Sequence, residues 1–294
     1  MPSFDRQMKL SQFLPARFRR DIAILPVVRL HGAILAGGSP FRQNLNLASV
    51  ASPLVRAFEM KRAPAVLLSI NSPGGSAAQS RLIFNRIREL ARKHEKKTIA
   101  FVEDAAASGG YMIALAADEI IADETSIVGS IGVIAAMFGF DKAIDKLGVD
   151  RRVYTAGENK LMLDPFQPEK EKDVQHLRAL QDDIHRIFVD MVKERRSGRL
   201  KDSDEMFSGL FWTGARAREL GLIDACGHMD SVVAERFGEK AQLRLIGPRR
   251  NFFGRVQPGV TGGPGGWSGG HAAALVGAAV DILQERALWN RLGL

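Results

Sequence analysis

The sequence predicts an α/β fold in which a mainly parallel sheet is flanked by helices. Short apolar runs alternate with segments whose apolar residues recur at helical spacing, beginning with the run 22–30 and the helical pattern 46–62. This alternation favours right-handed crossovers between parallel strands. The chain has 294 residues, which is enough for one large core, since single cores stop growing near ~250–300 residues.

Each later element is predicted from a local pattern. Val66–Ile70 is a short apolar run that ends at a Pro-Gly-Gly turn, and a helical pattern follows it. Thr98–Val102 predicts the next strand, after which a helix opens near Ser108. The remaining predicted elements are helices, a long charged one over 168–196 and short ones over 207–237.

The two ends of the chain differ in composition from its body. Residues 1–20 hold five basic residues and one acid, and they are predicted to form a basic N-terminal arm. Residues 249–270 are rich in Gly and Pro and are predicted to be a linker. Residues 271–294 are a candidate amphipathic helix that lies on a surface or a partner chain. The folded domain is therefore expected over 21–248.

Composition excludes several classes of protein. The net charge is +8, but half of the excess lies in the N-terminal arm. No alternation of basic and aromatic residues predicts nucleic-acid binding. The single cysteine, Cys226, rules out an intrachain disulfide and a thiolate metal cluster, so no metal or cofactor is expected. Because neither a run of ~18–20 apolar residues nor a signal peptide is present, a cytoplasmic location is expected.

Two glycine-containing turns are the candidate functional segments. In 71–76 a strand ends in Pro-Gly-Gly, where Gly75 would allow backbone N–H groups to face a ligand at a helix N-terminus. In 104–111, Ser108 stands where a helix begins, and Gly109 offers a second N–H group. The alternative interpretations are a plain strand–helix turn and a capping hydroxyl.

A serine nucleophile needs a base, and none of the six histidines lies in such a turn. Only His31, directly after a strand, merits attention as a histidine base; His185 is interpreted as a surface residue of the long helix. Lys160 precedes three apolar residues, and an apolar setting would favour the neutral amine that can take a serine proton. Ser130, in a turn expected to lead into an apolar strand, would hold that amine. The alternatives are a surface lysine and a turn-forming serine.

Together these segments resemble the signal peptide peptidase A (SppA/SohB-like) family of serine peptidases, within the ClpP/crotonase superfamily. The resemblance runs from about Ile22 to Phe237. Its matching text is SINSPGGS at 69–76, AAASGGYMIALAADEI at 105–120, SIVGSIGVI at 126–134, YTAGENKLMLDPF at 154–166 and WTGARARELGLID at 212–224.

The resemblance implies a ClpP/crotonase-like fold of repeated β-β-α and βαβ units and a role for each matching residue. The nucleophile falls on Ser108, the lysine base on Lys160 and its assisting serine on Ser130. The oxyanion donors fall on the backbone N–H groups of Gly75 and Gly109. The implied activity is an ATP-independent endopeptidase that needs no cofactor.

The resemblance further implies peptide substrates, either signal-peptide remnants or other membrane-derived or unfolded peptides. It also implies a homo-oligomeric ring or dome in which neighbouring subunits can complete one site. Family members usually carry an N-terminal transmembrane segment, and no such segment is predicted here. Our hypothesis is that the basic arm and the C-terminal helix contact the inner membrane face peripherally or dock on neighbouring subunits.

Two other functions remain open at this point. A crotonase-like acyl-CoA enzyme would share the fold and the oxyanion hole, with Glu103 and Asp104 as its carboxylates. A non-catalytic, membrane-associated scaffold would keep the fold alone. Thioester turnover that survives Ser108→Ala would distinguish the first of these from a peptidase.

Overall fold

Strand β2 (Ala65–Ser72) lies in the middle of the sheet, and every residue in it except Asn71 is buried. Burial on both faces is typical of a central parallel strand, and it explains the nearly continuous apolar sequence. The computed structural model describes residues 22–37, 44–247 and 285–294. The predicted arm, linker and first part of the C-terminal helix lie outside these residues, so the domain boundaries stay predictions.

The other strands are β1 (Ile24–His31), β3 (Lys97–Ala107), β4 (Glu119–Ala122), β5 (Ile127–Gly129), β6 (Phe211–Thr213), β7 (Ala225–Cys226) and β8 (Gln242–Leu245). In the described part of the chain these eight strands form one sheet in the order β6-β5-β3-β2-β1-β8, with β4 beside β3 and β7 beside β4. All pairs are parallel except β5 with β6.

Three helices of the described residues begin where a side chain accepts a hydrogen bond from a free backbone amide. Helix α1 opens with a capping box between Asn46 and Ser49. The Ser76 side chain accepts from the Gln79 amide at the start of α2. The helices are α1 (Leu47–Phe58), α2 (Ala77–His94), α3 (Gly109–Ala114), α4 (Asp141–Lys146), α5 (Glu171–Arg195), α6 (Gly214–Glu219) and α7 (Met229–Phe237). A further helical turn covers 285–290.

Helices cover both faces of the sheet, which confirms the predicted α/β fold. On one face Leu68 packs in a large core to which α1, α2, α3 and α5 contribute. On the other face Leu67 packs with Val233 of α7 in a smaller cluster. The two residues are consecutive in β2, so their side chains point to opposite faces.

Two parts of the sheet differ from the prediction. Strand β3 runs to Ala107, five residues beyond the predicted end, because it changes partner from β4 to β5 along its length. The prediction of a strand after Ser130 is wrong, since β5 precedes this residue and residues 131–140 form neither helix nor strand. Gly129 and Ser130 have φ values of 111° and 55°, which end the extended chain there.

Residues 133–170 contain no buried residue. From here on they are called the arm, as distinct from the basic N-terminal residues 1–20. The Phe140 ring packs on Phe166, and an Arg151–Asp164 ion pair joins the two sides of the arm. Large apolar side chains remain exposed along it: Ile134, Met137, Phe138, Phe140, Leu147, Val149, Val153, Tyr154 and Phe166. Such a density of exposed apolar side chains is typical of an interaction surface.

Over the part of the chain that the structure describes, no helix combines the length and the apolar character needed to cross a membrane.

The Arg196 side chain fixes the end of α5 against the loop before β7. It is 2% exposed, and it donates to the Gly221 carbonyl oxygen and to Asp224, both at 2.8 Å. We expect Arg196→Met to lower the free energy of unfolding by about 3 kcal/mol, because it leaves Asp224 without its buried partner. Urea unfolding measures this change.

The control is Arg186→Met, which removes an exposed pair with Asp183 and should cost less than ~0.5 kcal/mol. Equal effects of the two substitutions would contradict this account of Arg196.

Candidate active site

Ser108 joins β3 to α3 in a backbone conformation that L-residues rarely adopt. Its φ is 52° and its ψ is −119°, and such a conformation costs ~1–3 kcal/mol. The side chain is partly exposed and makes no capping hydrogen bond to α3, so the capping interpretation is wrong. The Ser108 backbone N–H donates to the Gly129 carbonyl oxygen at 2.8 Å, which ties the residue to the end of β5.

The Pro-Gly-Gly turn is held by the chain that follows β1. The Ile34 N–H donates to the Gly74 oxygen at 2.8 Å, and the Ser76 N–H donates to the Ile34 oxygen at 2.7 Å. Between these bonds, Gly75 has a φ of 137°, and a Cβ on it would lie 2.2 Å from the Ile34 oxygen. Only glycine fits there, and its own N–H takes no part in the pairing with Ile34.

Gly74 brings this turn against Ser108. A Cβ on Gly74 would lie 2.9 Å from the Ser108 Cβ and 3.0 Å from the Gly109 nitrogen. Within residues 22–37, 44–247 and 285–294, neither the Gly75 nor the Gly109 N–H donates a hydrogen bond to a protein acceptor. Two available backbone donors beside a serine hydroxyl are what a developing oxyanion requires.

Ser130 lies beside Ser108 at the ends of two paired strands. The register pairs Ala107 with Gly129, so the next residue of each strand is brought alongside. Ser130 is 3% exposed, and its N–H donates to the Leu210 oxygen at 2.7 Å. Its Oγ accepts a hydrogen bond from Arg291 Nη2 at 2.9 Å.

Lys160 occupies a different place, since it is exposed on the arm. Its backbone N–H donates to the Gly157 oxygen at 3.3 Å. Among the described residues its amine makes no hydrogen bond to Ser108 or Ser130, and none of these residues forms the expected apolar enclosure around it. The structure therefore brings together Ser108, Ser130, Gly75 and Gly109, but not Lys160.

A cavity of about 320 Å³ adjoins the site and is lined by residues that include Ser130, Ile134, His185 and Arg291. His185 Nε2 is shielded from solvent and has no hydrogen-bond partner among the described residues. His185 is thus half-buried, with one ring nitrogen shielded, and not the fully exposed residue that the surface interpretation implies. Its spacing from buried Phe188 and Val192, at i+3 and i+7, was the available signal. No sequence signal pointed to Arg291.

The remaining predicted candidates form a polar cluster on the sheet. His31 Nε2 lies 2.6 Å from Ser69 Oγ, which donates to Glu103 at 2.6 Å. Burial lowers the pKa of His31, against the opposing effect of the Glu103 carboxylate. Asp104 accepts from the Asn71 amide at 2.6 Å. Because Ser69 is buried, this cluster offers no accessible nucleophile.

Comparison with known proteins gives matches along the same region. The model of peptidase family S49 matches residues 90–243, and that of ClpP-like SDH-type serine proteinases matches 39–140. The chain is 56% identical over 286 residues to a Brucella abortus (strain 2308) protein named Na(+)/H(+) antiporter NhaA, covering 97% of this chain and 39% of that protein. It is 34% identical over 218 residues to Serine protease SPPA, chloroplastic, of Arabidopsis thaliana, covering 68% and 31% respectively. The chain thus spans well under half the length of either relative.

The strain at Ser108 can be tested through stability. We expect Ser108→Gly to be more stable than Ser108→Ala by about 1 kcal/mol, because glycine adopts a positive φ without steric cost. Urea unfolding of the two variants measures the difference, and both lack the hydroxyl, so its loss cancels. A Ser108→Ala variant as stable as Ser108→Gly would contradict the strained conformation.

Proposed function

The chain belongs to peptidase family S49, and on this premise we propose that it is a serine peptidase with Ser108 as its nucleophile. One observation carries the proposal: the uncapped, partly exposed Ser108 adjoins Gly109 and the Gly74–Gly75 turn, and the Gly75 and Gly109 N–H groups donate to no acceptor among the described residues. Peptide hydrolysis through an acyl-enzyme needs this combination of nucleophile and oxyanion donors.

In the proposed reaction Ser108 Oγ attacks the peptide carbonyl carbon while its proton passes to the neutral amine of Lys160. The carbonyl oxygen becomes an oxyanion held by Gly75 and Gly109. As the C–N bond breaks, Lys160 returns the proton to the departing amine. Water then attacks the ester, with Lys160 again taking and returning the proton, so the acid product leaves and Ser108 is regenerated.

We further propose that Lys160 reaches Ser108 from a neighbouring copy of the chain. The arm that carries Lys160 has no buried residue and exposes many large apolar side chains, which supports docking on another subunit. The Ser130 hydroxyl beside Ser108 is suited to accept a hydrogen bond from the incoming amine. A ring or dome of identical subunits would repeat this contact.

The proposed substrates are unfolded or membrane-derived peptides, including signal-peptide remnants, cleaved without ATP. The small, buried side chains of Ala105 and Ala107, next to Ser108, support an apolar hollow that takes one substrate side chain. Peripheral contact with the inner membrane face remains part of the proposal through the basic residues 1–20, which lie outside the described residues. No observation favours acyl-CoA chemistry, since Glu103 and Asp104 already accept hydrogen bonds.

We expect Ser108→Ala and Lys160→Ala each to lower kcat for an apolar fluorogenic peptide by at least ~10³-fold, because the two residues act as a unit. Lys146→Ala, an exposed lysine on the same arm, is the matched control and should leave kcat unchanged. Equal activity of wild type, Ser108→Ala and Lys160→Ala would contradict the proposal that Ser108 and Lys160 form a catalytic dyad.

Complementation tests whether Lys160 acts on a neighbouring subunit. When Ser108→Ala and Lys160→Ala chains are unfolded together and refolded at a 1:1 ratio, each intact Ser108 meets an intact Lys160 about half the time. We therefore expect recovery of about a quarter of wild-type activity. Recovery of no activity, with mixed oligomers verified by mass spectrometry, would show that Lys160 serves its own chain.

A further inference from the structure

Residues 285–294, here called the C-terminal segment, lie across the end of the sheet that carries Ser108. Leu292 is 6% exposed and packs against Ala105 and Ala107 of β3. Trp289 and Ile127 pack on the same cluster. Ala107 directly precedes Ser108, so the Leu292 side chain covers an apolar surface next to the proposed nucleophile.

The same segment engages the site through a charge. Arg291 Nη2 donates to Ser130 Oγ at 2.9 Å, and Arg291 also lines the cavity beside Ser130. Leu292 and Arg291 therefore occupy the two positions beside Ser108 that the proposed reaction needs, the hollow on β3 and the Ser130 hydroxyl.

An arginine at this position cannot replace the proposed lysine base. The guanidinium stays protonated in proteins and has no acceptor, so it cannot take the Ser108 proton. Ser130 is 3% exposed and Arg291 Nη2 lies 2.9 Å from its Oγ, so a lysine amine must displace the guanidinium to reach this hydroxyl. Arg291 and Lys160 are therefore alternative partners of Ser130.

We propose that the C-terminal segment is an autoinhibitory strap that excludes both a peptide side chain and Lys160 from the site. The inference rests on the proposed peptidase function. In the strapped form Leu292 covers Ala105 and Ala107 while Arg291 holds Ser130. Activity requires the segment to leave, after which the hollow accepts substrate and Ser130 accepts the lysine amine. The occupant is a segment of this chain, and a substrate peptide is its competitor.

The first test measures hydrolysis of an apolar fluorogenic peptide by the full chain. We expect Arg291→Ala to raise kcat/KM about tenfold, since it removes one charged hydrogen bond of the strap. Arg286→Ala, an exposed arginine of the same segment, should leave kcat/KM unchanged. Leu292→Ser should also raise kcat/KM, whereas Leu294→Ser, at a half-exposed position, should not. An Arg291→Ala or Leu292→Ser variant no more active than its control would overturn the proposal.

The second test does not depend on catalysis. Amide hydrogen exchange over 287–294 should be slow in the wild-type chain and at least ~10-fold faster in Arg291→Ala, with exchange over β2 and β3 unchanged. Fast exchange of 287–294 in the wild type would overturn the strap. If no variant hydrolyses the peptide although 287–294 exchange slowly, the proposed peptidase function fails while the docked position of the segment stands.

Discussion

The 2.8 Å hydrogen bond from the Ser108 N–H to the Gly129 oxygen holds the site together, because it fixes the far end of β3 to the end of β5. Strand β3 pairs with β4 over Ile99–Val102 and with β5 only over Ala105–Ala107. The second half of the strand therefore projects past β4, and Ser108 sits at its tip. The pairing of Ala107 with Gly129 between β3 and β5 is therefore the contact that aligns Ser130 with Ser108.

Close backbone contact supplies the rest of the site. The turn after β2 contacts Ser108 through Gly74, and Gly75 packs closely against the Ile34 backbone. These contacts place the Gly75 N–H group near the serine that follows β3. A Cβ on Gly109 would lie 2.3 Å from Ser80 Oγ. Because glycine has no side chain, α3 can pack closely against α2 at this point. The positive φ of Ser108 costs folding energy, and it keeps the hydroxyl from capping the helix that it precedes.

The parts of this site that the sequence revealed are those with local signals. Gly75, Ser108 and Gly109 stand in Gly-rich turns after apolar runs, so the turns were predictable, and the catalytic roles of these residues stay predictions. Ser130 was found in its turn, but the strand was placed on the wrong side of it, because a three-residue strand carries little periodicity. The fold class was predictable for the same reason, whereas β4, β6, β7 and β8, each of two to four residues, were not.

Long-range contacts account for what the sequence missed. Arg291 meets Ser130 across 161 positions of the chain, and no local pattern encodes that meeting. The exposure of Lys160 likewise depends on where its segment lies in the fold, and not on its three apolar neighbours in sequence. His185 belongs partly to each group of residues, those with a local signal and those without one. Its helical spacing to Phe188 and Val192 indicated a position facing the core, whereas its polar side chain suggested the surface.

Covalent labelling of the serine hydroxyl can test the proposal that Lys160 activates Ser108 as a nucleophile. A fluorophosphonate probe reacts when the serine oxygen displaces fluoride from phosphorus, and peptide mapping by mass spectrometry locates the adduct. We expect one adduct, on Ser108, that forms at least ~10-fold more slowly in Lys160→Ala. An adduct on another residue, or an unchanged labelling rate in Lys160→Ala, would contradict it.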